Sequence, residues 1–140
     1  MRQNAMAFRV QWGDTDAAGI VFYPNYFRWF DWGSHELFRS LGYPLERMIS
    51  QKHALPIIDA GSRFLHSLRY GDDVTMTSSL VEVRTRAFRI SHVIARGTEQ
   101  VCEGFEVRVW GRIGDADQPV VAEPIPDDLR KLMLSSSIST

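Results

Sequence analysis

The sequence predicts an α+β fold, an antiparallel sheet wrapped around one long central helix, and three observations carry that expectation. Residues 6–12 alternate apolar and polar side chains, the pattern of a half-buried strand. Residues 24–41 hold the only long stretch of helical period in the chain. From residue 55 onward the chain reads as consecutive strands punctuated by glycine turns. Elements in that order bury the helix by laying the sheet over it.

In the first strand Met6, Phe8, Val10 and Trp12 share the expected buried side, with Ala7, Arg9 and Gln11 opposite. The helix begins at Pro24, which suits a first turn whose N–H has no intrahelical partner. Tyr26, Phe30, Gly33, Leu37 and Leu41 then recur at helical spacing, and Gly42 supplies a left-handed cap. Phe27, Trp29 and Phe38 flank that stripe, so burial on more than one side is expected. Gly33 costs about 1 kcal/mol against alanine inside a helix, which close packing against the sheet would offset. A short helix over 44–51 follows. Strands are expected at 55–66, 73–83, 86–96 and 100–112, with turn signals at Gly71, Gly97 and Gly114. Phe88, Ile90 and Ile94 take one face of 86–96 with Arg89 and Ser91 opposite, and Val101, Phe105, Val107 and Val109 take one face of the next strand. A strand at 119–122, a helix opened by Pro126, Asp127 and Asp128, and a frayed tail over 135–140 complete one domain, 1–140.

At 140 residues the chain has enough length for one core. With 44% apolar and 24% charged residues it has the balance of a soluble domain. A net charge of −1 and a pI near 6.4 argue against nucleic-acid or acidic-membrane partners. No apolar run approaches the length of about 18 residues that spans a bilayer. The N-terminus lacks the apolar core of a signal peptide, and the one cysteine, Cys102, fits a reducing compartment, so a cytoplasmic location is expected.

Chemistry concentrates in the joint between the first strand and the long helix, residues 12–26. Asp14 and Asp16 sit there, Gly19 can bend the chain, and the N–H groups around Tyr23 are orphan donors at the positive end of a helix. A carboxylate beside such donors has the makings of an acyl-transfer site. Asp16 is the candidate base or nucleophile, against the alternative of a turn or capping aspartate, and Asp14 is expected to brace the loop. The four histidines show no ligand spacing, no serine lies in a Gly-x-Ser-x-Gly elbow, and Cys102 reads as packing, so neither a metal nor a rival nucleophile is expected.

The run from Gly13 to Tyr26, followed by Arg28, Trp29, Phe30 and Asp31, closely resembles the signature of the 4-hydroxybenzoyl-CoA thioesterase family, and the order of elements resembles the hotdog fold. That resemblance implies an acyl-CoA thioesterase in which Asp16 acts as nucleophile or general base and the Tyr23 N–H polarises the thioester carbonyl. Gly19 would close the loop. Asp31 would accept a ring 4-hydroxyl, unless it is merely an exposed helix acid. Arg84, Arg86 and Arg89, clustered at a turn between strands, would bind the phosphates of coenzyme A, unless they form an ordinary solvated surface. Here Thr85 and Ala87 interrupt the basic run of the family. Coenzyme A is part of the substrate, and no separate cofactor is implied. The family pairs subunits so that sites lie at their interfaces, which implies a homo-oligomer, a tetramer. An aromatic acyl group, 4-hydroxybenzoyl among the candidates, leads the substrate classes. A short or medium aliphatic acyl-CoA, a hotdog hydratase or dehydratase, and a non-catalytic acyl-CoA binder are the alternatives. A dehydratase would need a histidine at the helix start, where the sequence places none.

Overall fold

The computed structural model describes residues 1–117 and 119–136, so the expected frayed tail lies in part, at 137–140, outside the described residues. The chain runs β1 (Gln3–Arg9), a 3-10 turn (Trp12–Asp14), α1 (Pro24–Ser40), α2 (Leu45–Ser50), β2 (His53–Ala54), β3 (Ile57–Phe64), β4 (Asp73–Val83), β5 (Ala87–Arg96), β6 (Glu99–Val109), β7 (Gly111–Ile113), β8 (Val120–Ala122) and α3 (Asp127–Leu134). Five strands pair antiparallel in the order β1-β4-β5-β6-β3, and β2-β7-β8 make a small second sheet.

The long helix packs along the large sheet because its apolar stripe meets the inward faces of β4, β5 and β6. Tyr26, Trp29 and Phe30 bury against Val74, Met76, Ile94 and Cys102. Leu37 and Phe38 bury against Leu80, Phe88 and Ile90, where α2, Trp110 and α3 add Met48, Leu129 and Met133 from the other side. Burial on two sides thus holds for the C-terminal half of α1, whereas Tyr23, Asp31 and Trp32 are exposed in the N-terminal half. Gly33 lies so close to the sheet that a Cβ there would stand 2.5 Å from Ser78 Oγ and 2.6 Å from Met76 Cε. Gly42 ends the helix at φ +84°, in the left-handed region where glycine carries no steric penalty.

The sequence expectation fails in four places, the first being the strand expected at 55–66, which divides around Leu55 and Pro56 into β2 and β3 in different sheets. The first strand spans 3–9 rather than 6–12: the chain leaves the sheet at Val10 and tightens into the 3-10 turn, which leaves Trp12 76% exposed. The span 100–112 divides after Val109, because Trp110 donates its N–H to the Arg86 carbonyl and the chain passes into the second sheet. The faces of β6 are also reversed. Cys102, Glu106 and Arg108 point inward and are buried, while Phe105, Val107 and Val109 lie outward and half-buried. No helix among the described residues is long and apolar enough to cross a membrane.

Candidate active site

The loop between β1 and α1 is built around its first carboxylate. Asp14 is buried; its Oδ2 accepts from the Gln11 N–H at 2.8 Å and its Oδ1 from Arg28 at 2.9 Å. The Asp14 carbonyl accepts from the Phe22 N–H and from Asn25 Nδ2, at 2.9 and 2.8 Å. These bonds fasten both ends of the loop to the start of the helix, the bracing role expected of Asp14. A bridge between Thr15 and Val21 closes the remaining segment.

Asp16 stands at the tip of that closed segment, exposed, with its backbone tied to Ile20 and Gly19 by 2.9 Å hydrogen bonds. Gly19 adopts φ +79°, which lets the tip turn in so few residues. One carboxylate oxygen, Oδ1, accepts from the Ala18 N–H at 2.8 Å; no partner meets Oδ2 among the described residues. Tyr23 is the N-cap of α1 with Pro24 behind it, and no acceptor meets its N–H among the described residues. An unpaired donor at the positive end of a helix of 17 residues is a ready site for developing negative charge. A cleft of about 270 Å³ opens beside it, lined by Ile20, Tyr23, Tyr26, Phe64, Leu65 and His66. Burial pushes the Tyr26 phenol up to about 12. His66 corrects the sequence expectation: β3 and the turn after it bring a histidine to the helix start that no local spacing announced.

Asp31 lies two helical turns further on, at the end of the stripe Tyr23, Phe27, Asp31. Its Oδ1 is 2.8 Å from Arg108 Nη2, and its side chain is 55% exposed. Arg108 is the partner of Asp31 that sequence reasoning missed. Its signal was a pair of charges two apart on β6, Glu106 and Arg108, but the opposite face offered a better apolar alternation. Arg84 and Arg86 sit in the turn from β4 to β5, exposed, with Arg84 Nε 2.6 Å from Glu82. Arg89 lines a small cleft together with Arg84 and Glu82, and its guanidinium stacks 4.0 Å from the centre of the Phe105 ring on the outer sheet face. That turn and the Asp16 loop are at opposite ends of β4, since Arg9 pairs with Asp73 and the turn follows Val83. The 11 residues of β4 separate them by roughly 33 Å at ~3.3 Å per residue.

Cys102 is buried beside Ser62, and burial pushes its thiol up to about 11, as suits a packing residue. Among the described residues no three His, Cys, Asp or Glu side chains gather to hold a metal.

A helix laid on an antiparallel sheet, with a carboxylate loop closed over the helix N-terminus, is the hotdog architecture. The family model described as thioesterase-like superfamily matches residues 10–132, and this chain belongs to that superfamily. The 4-hydroxybenzoyl-CoA thioesterase of Pseudomonas sp. (strain CBS-3) is 32% identical over 117 residues, covering 78% of this chain and 83% of that one. The structure of a gentisyl-coenzyme A thioesterase superposes with TM-score 0.85 at 35% identity, over 93% of this chain and 99% of that one. An Asp-to-Asn mutant of 4-hydroxybenzoyl-CoA thioesterase, complexed with 4-hydroxybenzoyl-CoA, superposes with TM-score 0.87 at 28% identity, over 95% and 99%.

Proposed function

We propose that this protein hydrolyses an aromatic acyl-CoA thioester to the free acid and coenzyme A, with Asp16 as nucleophile or general base. The observation that carries the proposal is one closed loop that leaves an Asp16 oxygen open and leads into the unpaired Tyr23 N–H at the head of α1. With the thioester carbonyl oxygen at that N–H, charge that develops on the oxygen meets the positive end of α1. Asp16 can attack the carbonyl carbon, expelling the CoA thiolate and leaving a mixed anhydride that water opens. Alternatively it takes a proton from a water that attacks in its place. Both routes use water and this chain's own groups, and we propose no cofactor.

The aromatic acyl group is supported by the stripe below Tyr23. Tyr23 and Asp31 are eight residues apart on α1, about 12 Å along the axis at 1.5 Å per residue. That is the span of a para-hydroxylated benzoyl group with a hydrogen bond at each end, and Phe27 lies between to meet the ring. The substrates for which the relatives are named, 4-hydroxybenzoyl-CoA and gentisyl-CoA, are aroyl esters of this kind.

We also propose a homotetramer in the cytoplasm. Two surfaces of the chain are unfinished: the free edge of β3 with exposed Ile57, Ile58 and Phe64, and the outer sheet face with Val81, Phe105 and Val107. Two distinct self-complementary surfaces generate a tetramer with two kinds of interface. Arg84 and Arg86 would then meet the CoA phosphates at the Asp16 of a neighbouring subunit, because roughly 33 Å of β4 separates them from their own.

Release of free thiol from 4-hydroxybenzoyl-CoA, benzoyl-CoA and a short aliphatic acyl-CoA tests the proposal: the aroyl esters should give the higher kcat/KM. His66 in the cleft favours hydratase chemistry as the second reading. Hydration of an enoyl-CoA without thiol release from any ester would decide for it.

A further inference from the structure

Beneath α1 lies a second polar cluster that none of the steps above uses. Ser34, Ser78, His92, Glu106 and Arg108 are all buried, drawn from α1, β4, β5 and β6. Ser78 Oγ meets His92 Nδ1 at 2.8 Å, and His92 Nε2 faces Glu106 Oε1 at 3.0 Å. The same Oε1 accepts from Ser34 Oγ and, at 3.2 Å, from Arg108 Nε. A carboxylate offers only acceptors, so His92 Nε2 carries a proton and Ser78 can donate to Nδ1. Phe30 stacks on the imidazole at 4.8 Å, with 5° between the rings, and fixes it from the helix side.

Every strand of this network ends on one guanidinium. Arg108 Nη2 is 2.8 Å from Glu106 Oε2 and 2.8 Å from Asp31 Oδ1, and Nη1 donates to the Leu55 carbonyl at 2.7 Å. A planar fork gripped along two edges and 3% exposed has no freedom to follow Asp31. Asp31, on an exposed helix face, must instead settle where the fork is. That contact occupies Oδ1, with His35 Nδ1 3.5 Å from the same atom, and no partner meets Oδ2 among the described residues.

We propose that Arg108 is a positioning residue for Asp31, held by Glu106, which His92 fixes in turn, so that Asp31 presents its free oxygen to a hydroxyl on the substrate ring. The inference rests on the aroyl thioesterase reading above. An oxygen held in this way rewards a ring that donates a hydrogen bond at one place and gives nothing to a bare ring.

Thiol-release kinetics on 4-hydroxybenzoyl-CoA and benzoyl-CoA test it, in wild type, Arg108→Lys, Asp31→Ala and the double variant. Lysine keeps the charge but not the fork. Wild type should favour the hydroxylated ester by about tenfold or more in kcat/KM. Arg108→Lys should lose most of that preference through the hydroxylated ester alone, and in the Asp31→Ala background the same substitution should change the ratio less than about twofold. An equal loss on both esters in both backgrounds, or a preference untouched by Arg108→Lys, overturns the proposal, as does a wild type without preference. Should Arg108→Lys not fold, NMR of the Arg108 guanidinium in Asp16→Asn replaces it. Its resonances should move with 4-hydroxybenzoyl-CoA and not with benzoyl-CoA, and equal responses overturn the proposal. Absence of thiol release from any aroyl-CoA by wild type removes the thioesterase reading itself, an outcome distinct from hydrolysis without preference.

Discussion

Asp16 and Asp31 flank the first two turns of the same helix, and the protein holds them in opposite ways. Asp16 is anchored by backbone alone, through a turn that glycine makes possible and a single N–H on one of its oxygens. Asp31 is anchored by a side chain that is itself locked by a buried carboxylate, which an imidazole holds in turn. A group that attacks or takes a proton needs an open oxygen beside a reacting carbon. A group that reads a substituent needs a fixed place. On the proposed roles, the chemistry at the head of α1 and the selectivity further along it should break separately.

The largest expected effect falls on the first. Asp16→Asn should lower kcat by at least about 10²–10⁴-fold while KM stays within a few-fold, since shape and hydrogen bonding are kept and the base or nucleophile is lost. Steady-state kinetics that retain more than a tenth of wild-type kcat would show that Asp16 is not the reacting group. Its stability in urea should match wild type within about 0.5 kcal/mol, as for other surface changes.

The second holder should show the reverse. Arg108→Met leaves Glu106 buried without its ion partner and should cost about 3–5 kcal/mol in urea unfolding. Arg28→Ala removes an exposed partner of Asp14 and should cost about 1 kcal/mol or less. Equal losses in the two variants would mean that the buried network does not hold the fold. Acid sharpens the same point. Burial raises the Glu106 carboxyl, but His92 and Arg108 more than offset it and hold it down to about 2. A carboxyl lowered from 4.5 contributes stability that is complete above that pH and is lost as pH falls toward 2. Unfolding measured at stepped pH should therefore weaken through that window, and Glu106→Gln should flatten the limb. A variant limb as steep as that of wild type would contradict this.

How much of this was legible in the sequence follows from the same contrast. Helix 24–40, its glycine cap and strand 73–83 follow from periodicity and turn chemistry, because they obey the ordinary rule of apolar side inward. The Asp16 loop was legible because its pieces are contiguous. Arg108 was not, because β6 turns its charged face to the core, and an ion network that satisfies its own members defeats a hydrophobic pattern. Asp31 was placed correctly on the helix but its partner lies 77 residues away. Distance along β4 likewise separates Arg84 and Arg86 from the loop, which no local spacing could reveal.

The smallest kinetic effect is expected from those arginines. Arg84 and Arg86 replaced together by alanine should raise KM for the CoA ester several-fold with little change in kcat, since the phosphates are remote from the reacting carbon. The effect should shrink for a pantetheine thioester, and an equal loss on both substrates would assign the pair to structure instead.

One measurement tests the division between the two carboxylates most directly: the ratio of kcat/KM for 4-hydroxybenzoyl-CoA over benzoyl-CoA, in wild type, Asp16→Asn and Asp31→Ala. Asp16→Asn should depress both esters alike and leave the ratio within about twofold, whereas Asp31→Ala should pull a ratio of roughly ten or more toward one. A ratio that falls with Asp16→Asn, or one that survives Asp31→Ala, would show that reaction and selectivity are not divided between these two residues.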